Sequence, residues 1–167
     1  RSSNRRTAYV QFVVPSGNGL EAYEFSLEGR HLLTRNAMTG AVLFTFGYDA
    51  DGFLTSVTDG NGLITRIERG AGGTPTAILS AFGQRTSLSV DANGYLSSIT
   101  DPAGGVTSLQ TSPDGWLTEF RDRNGHTSSF RYDENGRLLS DADSAGGSQT
   151  LNRTETANGW TVTLATG

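Results

Sequence analysis

The chain has 167 residues, 35% apolar and 18% charged, a balance that argues against both a disordered polymer and a membrane protein. A formal charge of −4, with all 13 basic residues arginine and most of them scattered, argues against a nucleic-acid partner, and the lack of cysteine removes disulfides, thiolate metal sites and a Cys nucleophile. The 22 glycines, with 4 prolines and many Asn, Asp, Ser and Thr, place a turn every ten residues or so, which is an all-β composition.

The chain opens on Arg1-Ser2-Ser3-Asn4-Arg5-Arg6, without an initiator Met or the apolar core of a signal peptide, and reads as a fragment. No stretch approaches the length of a membrane span. Residues 1–22 read as a lead-in segment or degenerate repeat, 23–152 as a repeat array, and 153–167 as a degenerate repeat running off the end.

The array shows itself in two ladders of glycine, Gly52, Gly73, Gly94, Gly115, Gly136 and Gly62, Gly83, Gly104, Gly125, Gly146, with every step 21 residues and Gly167 as the next rung of the second. An apolar column keeps the same step: Phe25, Phe46, Ile67, Leu88, Leu109, Phe130 and Leu151. A second column holds Leu33, Leu54, Leu96, Leu117 and Leu138, broken at Pro75, and a third holds Val57, Ile78, Ile99 and Phe120 before failing at Asp141.

Between turns the segments are about six residues long and rich in Thr, Val, Ile and aromatics, as in Phe53–Thr58 and Val106–Thr111. The turns read Asp59-Gly60-Asn61-Gly62, Asp101-Pro102-Ala103-Gly104, Asp122-Arg123-Asn124-Gly125 and Asp133-Glu134-Asn135-Gly136, with Asp able to bond nearby backbone and Gly supplying positive φ. About seven repeats of strand, turn, strand, turn follow.

Leu88 and Val90 share a strand face, as do Phe130 and Tyr132. Leu96 and Ile99 cannot share a face of a regular strand, so either that strand carries a bulge or the sheet buries residues on both sides. A lone hairpin cannot bury its face, so successive hairpins are expected to pair edge to edge into one antiparallel strip of about fifteen strands, roughly 70 Å long, that twists and curls.

The units Tyr48-Asp49-Ala50-Asp51-Gly52-Phe53-Leu54 and Tyr132-Asp133-Glu134-Asn135-Gly136-Arg137-Leu138 resemble the YD repeat of RHS proteins, and Thr100-Asp101-Pro102-Ala103-Gly104-Gly105-Val106-Thr107 resembles its second half. The stretch Val14–Phe25 is similar to the degenerate units that lead into such arrays. In other units the Tyr-Asp pair is reduced to Val90-Asp91 and Pro113-Asp114, or replaced by Arg69-Gly70. The resemblance implies an arc of a hollow shell, a spiralling β-strip enclosing a toxic polypeptide, as in bacterial polymorphic toxins, insecticidal toxin complexes and the related teneurins. It also implies a secreted or cell-surface location, and as partners the other repeats or domains of the same parent polypeptide and the enclosed toxin. The self-cleaving site of RHS shells lies in a C-terminal cap in that family, and nothing here matches the cap.

No cofactor, metal or catalytic group is signalled. Asp49-Ala50-Asp51-Gly52 and Asp141-Ala142-Asp143 invite a calcium reading, but an EF-hand loop needs a Glu where Gly60 stands, and turn chemistry accounts for them. His31 and His126, the only imidazoles, recur in no other unit and have no nucleophile motif beside them. Gly70-Ala71-Gly72-Gly73 lacks the Lys-Ser/Thr of a phosphate loop. Trp116 and Trp160, each after a glycine, resemble the aromatic hairpins of glycan-binding modules, but several units have few aromatics or none, and packing is the better reading. Asn152-Arg153-Thr154 is a glycosylation sequon, relevant only to a eukaryotic secretory origin. The sequence thus points to a non-enzymatic wall segment that encapsulates a toxin or effector for export. The alternatives are a cell-surface adhesin with carbohydrate as partner, or an extracellular strip assembling through open edges.

Overall fold

The computed structural model describes residues 12–167, so the first half of the lead-in lies outside the described residues. Fifteen strands follow one another in sequence order in the sheet, and each register that is defined is antiparallel. They are β1 (Phe12–Pro15), β2 (Glu21–Phe25), β3 (His31–Asn36), β4 (Val42–Tyr48), β5 (Leu54–Asp59), β6 (Ile64–Arg69), β7 (Pro75–Leu79), β8 (Arg85–Val90), β9 (Leu96–Thr100), β10 (Val106–Thr111), β11 (Leu117–Arg121), β12 (Thr127–Tyr132), β13 (Leu138–Asp143), β14 (Ser148–Thr156) and β15 (Gly159–Thr166). One short 3-10 turn, Ala71–Gly73, interrupts them. The fold is all-β and built of consecutive antiparallel hairpins, as the period of 21 requires. No helix among the described residues is long and apolar enough to cross a membrane.

The chain divides into two compact units, one running through Gly73 with Ala77–Arg85, the other holding Thr74–Thr76 and Thr86–Gly167. The same turn recurs in both. Its first residue is Ser26, Asp49, Asp59 or Ser80 in one unit, and Asp91, Asp101, Ser112, Asp122, Asp133 or Asp143 in the other. That residue donates its N–H to the carbonyl four positions on and accepts at its own carbonyl from the glycine three positions on, as in Asp133 N–H to Arg137 O (2.9 Å) and Gly136 N–H to Asp133 O (3.1 Å). This is a three-residue hairpin loop closed by a glycine at positive φ. All ten ladder glycines take that conformation, from +74° at Gly136 to +93° at Gly146, whereas Gly167 is not among the positive-φ residues.

Asp is favoured at the first position because one carboxylate oxygen caps two orphan donors. Asp133 Oδ1 accepts from Asn135 N–H (2.8 Å) and Arg137 N–H (2.9 Å), and Asp49, Asp59, Asp91, Asp101, Asp122 and Asp143 each do the same two and four positions on.

The faces of Leu96 and Ile99 are reconciled by a bulge. Val90 pairs with Leu96 and Ser89 with Ser98, so Ser97 is an extra residue, and Leu96 and Ile99 sit opposite Val90 and Leu88 on one face. Thr55, Thr118 and Leu139 are the extra residues at the corresponding places, and Leu32 at the earliest. Thr55 and Thr118 donate their hydroxyls to Gly47 O and Gln110 O, both at 3.1 Å, which ties each bulge to the neighbouring strand.

The first and third apolar columns meet directly across these hairpins, Phe46 with Val57, Leu88 with Ile99 and Leu109 with Phe120, while Phe130 meets Asp141. At the N-terminal end the period is 23 residues, not 21, since the turns begin at Ser26 and Asp49. Two added residues account for this. Gly40 closes the Asn36 loop one position later than Gly62 closes the Asp59 loop, and Leu43 is an extra residue in β4. Phe25 therefore stands where Tyr48 stands one repeat on, Tyr23 takes the place of Phe46, and His31, not Leu33, occupies the Leu54 position. His31 stacks between Phe25 (5.0 Å) and Phe46 (4.1 Å), so an imidazole fills an apolar column.

Most column residues are only half-buried, and Ala77 is the one fully covered apolar residue among those described. A single sheet layer has no second layer to close a core, so its cohesion comes from the ladder and from contacts between neighbouring repeats.

Candidate functional site: ring seats between repeats

The two turn edges of the strip are built differently. Along the edge of Gly62, Gly83, Gly104 and Gly146, a methyl group added to the glycine would meet open space, and at Gly125 only the Arg121 guanidinium at 3.4 Å. These positions need glycine for φ alone.

On the opposite edge a side chain from the preceding repeat lies on the glycine. A Cβ at Gly136 would lie 2.9 Å from the Trp116 ring, one at Gly115 2.7 Å from the Tyr95 ring, and one at Gly73 inside contact distance of the Phe53 ring. Arg30 occupies the same place at Gly52, where a Cβ would lie 2.5 Å from its guanidinium. Phe53, Tyr95 and Trp116 each directly follow a ladder glycine, so these three turns present a ring, and Gly73, Gly115 and Gly136 of the following repeats offer the bare backbone on which the rings lie. Gly94, whose preceding repeat offers Thr74, has no such contact. Trp116 also packs on Tyr132 at 5.7 Å, and Tyr48 donates its hydroxyl to His31 O (2.8 Å), so the tyrosines of the YD pairs likewise reach the preceding repeat.

Carboxylates add a second tie. While Oδ1 caps its own turn, Asp91 Oδ2 accepts from the Thr111 hydroxyl (3.3 Å) and Asp101 Oδ2 from Arg123 (2.6 Å), both in the following repeat. Beside the Asp101–Arg123 pair, an open polar groove of about 430 Å³ runs between successive turns, lined by Gly105, Ser108, Arg121 and Asn124 among others.

Where the Tyr-Asp signature fails, other residues take over. Ser112, not Asp114, begins the turn read from the sequence as Pro113-Asp114, and its hydroxyl accepts from Trp116 N–H (3.2 Å). At Arg69-Gly70 no side-chain cap exists at the first position, and Arg69 instead donates to Gly73 O (2.6 Å) and Leu54 O (3.0 and 3.3 Å) while lying 5.0 Å over the Phe53 ring. Arg69→Ala is expected to destabilise the unit by about 1.5–3 kcal/mol, the range for charge-assisted hydrogen bonds, with Arg69→Lys recovering only part because it lacks the planar fork. Chemical denaturation of the three proteins measures this.

The chemistry-bearing residues are committed to turns. Asp49 Oδ1 is taken by Asp51 N–H and Phe53 N–H, and no group of three or more His, Asp or Glu among the described residues could hold a metal ion. His126 is exposed, with Nδ1 3.0 Å from Asp122 Oδ2 in its own turn. The Gly70–Gly73 stretch forms the 3-10 turn, with Gly72 and Gly73 at positive φ. Trp160 carries Arg153 at 3.6 Å on its ring and Arg137 at 5.6 Å.

Four turn aspartates, Asp91, Asp101, Asp122 and Asp133, titrate low. His126's side-chain hydrogen bond holds the Asp122 carboxyl down at about 2, and the N–H groups of Tyr95, Gly105 and Arg137 hold Asp91, Asp101 and Asp133 below their ordinary values. A carboxyl depressed in the folded state contributes stability above its unfolded pKa of about 3.9, and that contribution is lost as pH falls through the folded value. The melting temperature is therefore expected to fall between about pH 4 and pH 2, and Asp122→Asn, which keeps the acceptor oxygen, to shrink that fall. A thermal melt series across this range measures both.

Comparison with known proteins places the chain. The profile described as Teneurin YD-shell matches residues 9–166. Teneurin-1 of Mus musculus is 39% identical over 64 residues, 38% of this chain and 2% of that protein, and Teneurin-1 of Homo sapiens is 32% identical over 88 residues, 50% of this chain and 3% of that protein. The chain thus spans a few hundredths of the length of these relatives. Among solved structures, TcdB2-TccC3 without its hypervariable C-terminal region covers 92% of this chain and 12% of its own at 13% identity and TM-score 0.46, and the Photorhabdus luminescens Tc holotoxin pore covers 90% and 12% at 18% identity and TM-score 0.45. With its YD turns, its period and a profile match over nearly its whole length, the chain belongs to the teneurin YD-shell family and is a YD/RHS-repeat segment of a structural shell.

Proposed function

We propose that this chain is one arc of the wall of a secreted or cell-surface RHS-type shell, with residues 23–152 as the array, enclosing a toxin or effector polypeptide before delivery. Its partners are the other repeats and domains of its own polypeptide. It has no catalysis of its own; its action is steric. The observation that carries this reading is a run of antiparallel hairpins in which several repeats are keyed to a neighbour by side chains lying on glycine and by carboxylate ties, with half-buried apolar columns that a single layer leaves partly uncovered. Enclosed chain and further repeats are what would cover them.

The aromatics favour a wall over a glycan platform. Phe53, Tyr95 and Trp116 lay their rings on glycine backbone in the next repeat, which commits one face of each ring to packing.

Limited proteolysis of the native polypeptide that contains this chain tests the reading. A non-repeat segment should survive protease until the shell is denatured, and then be cut within the same exposure. If every non-repeat segment is cut at the same rate before and after denaturation, nothing is enclosed.

A further inference from the structure

Six Asn-Gly pairs stand in the chain, at Asn18, Asn61, Asn93, Asn124, Asn135 and Asn158. Three of them close repeat loops of the second unit, where Asn93, Asn124 and Asn135 are exposed and precede the ladder glycines Gly94, Gly125 and Gly136. The loop itself does not require asparagine there, since Ala103 and Asp114 hold the same place in the loops that begin at Asp101 and Ser112.

Asparagine before glycine carries a reaction of its own. Glycine has no Cβ to shield its nitrogen, so that nitrogen, on losing its proton, can attack the asparagine Cγ. The new C–N bond closes a succinimide ring, the side-chain amide leaves as ammonia, and solvent water then opens the ring at either carbonyl. One opening gives aspartate. The other gives isoaspartate, in which the backbone runs through the side chain and is longer by a methylene. Neither step needs an oxidant or a reductant.

The closed loop holds the attacking nitrogen away. Gly94 N–H donates to Asp91 O (3.1 Å), Gly125 N–H to Asp122 O (3.0 Å) and Gly136 N–H to Asp133 O (3.1 Å). The N–H of each asparagine is held in turn by Oδ1 of the same aspartate, at 2.9, 2.8 and 2.8 Å. Turning the glycine nitrogen toward Cγ breaks its bond, so reaction requires the loop to open.

The three loops differ in what lies on them. An added Cβ at Gly136 would lie 2.9 Å from the Trp116 ring, whereas at Gly94 it would meet nothing within 4 Å and at Gly125 only Arg121, at 3.4 Å. The side-chain ties of the other two loops are single hydrogen bonds, Thr111 to Asp91 (3.3 Å) and His126 to Asp122 (3.0 Å). Opening the Asn135 loop must also lift it from an indole.

We propose that Asn93, Asn124 and Asn135 are sites of spontaneous succinimide formation gated by opening of their own loops, with Asn93 and Asn124 reacting ahead of Asn135 because the Trp116 ring holds that loop shut. Each conversion is a permanent record of an opening. Isoaspartate lengthens a three-residue loop that has no slack, so a hairpin that carries it cannot close as before. The chemistry is confined to the loops, and its failure leaves the wall reading standing.

Peptide mapping by mass spectrometry of the full chain, incubated at mildly alkaline pH, reads the conversion at each asparagine. In the native chain Asn135 should convert about fivefold or more slowly than Asn93 and Asn124, and in urea the three rates should rise and converge, since each asparagine then precedes an unheld glycine. Trp116→Ala should bring Asn135 up to the rate of Asn93 while leaving Asn93 and Asn124 unchanged. Trp116→Phe, which keeps a ring on Gly136, should leave Asn135 slow. Equal rates at the three sites in the native chain overturn the proposal. So do rates that urea leaves unchanged, or a Trp116→Ala chain in which all three sites speed up together.

Discussion

Gly136→Ala is expected to destabilise the second unit by about 2–5 kcal/mol, against about 1–2 kcal/mol for Gly146→Ala. Both glycines sit at positive φ, +74° and +93°, where an L side chain costs about 1–2 kcal/mol. Only Gly136 lies beneath a ring, with its added Cβ 2.9 Å from Trp116, so the alanine must displace an indole for a further cost of about 1–3 kcal/mol. Urea denaturation of the two variants measures the difference. Equal losses would mean that the glycines answer to turn conformation alone.

Trp116→Ala should destabilise the same unit by about 2–3 kcal/mol, somewhat less than loss of a fully buried ring because Trp116 is only half-buried. It removes the Gly136 seat and the contact with Tyr132 together. The sharper expectation is coupling. In a Trp116→Ala background, Gly136→Ala should cost no more than Gly146→Ala does, because the ring it would clash with is gone, leaving a coupling of about 1–3 kcal/mol in a double-mutant cycle. Additive losses would show that ring and glycine do not act as one contact.

Much of this architecture is written in the sequence, because the features that fix it are local. A three-residue loop needs positive φ at its last residue, and only glycine takes that conformation cheaply, so the turns announce themselves at Gly52 through Gly136 and Gly62 through Gly146. Leu96 and Ile99 implied a bulge or a sheet buried on both sides, and pairing across the hairpin selects the bulge at Ser97.

What stayed hidden depends on register. Counting back by 21 put Leu33 in a column that His31 fills, because one extra loop residue and one extra residue in β4 change the phase without changing the composition. Asp114 was read as a turn aspartate where Ser112 begins the turn, since hydroxyl and carboxylate both cap backbone N–H groups and only the position of Gly115 tells them apart. The ring seats left a trace in Gly52-Phe53, Gly94-Tyr95 and Gly115-Trp116. That trace links residues about 20 apart, and it becomes a contact only when neighbouring hairpins lie side by side.

Whether this chain is wall around an enclosed polypeptide, as proposed, is tested most directly by a cryo-electron microscopy reconstruction of the native polypeptide. The expected map shows residues 23–152 as a continuous strip bounding a cavity, with density for polypeptide against the inner face. A strip with solvent on both faces and no enclosed density would contradict it.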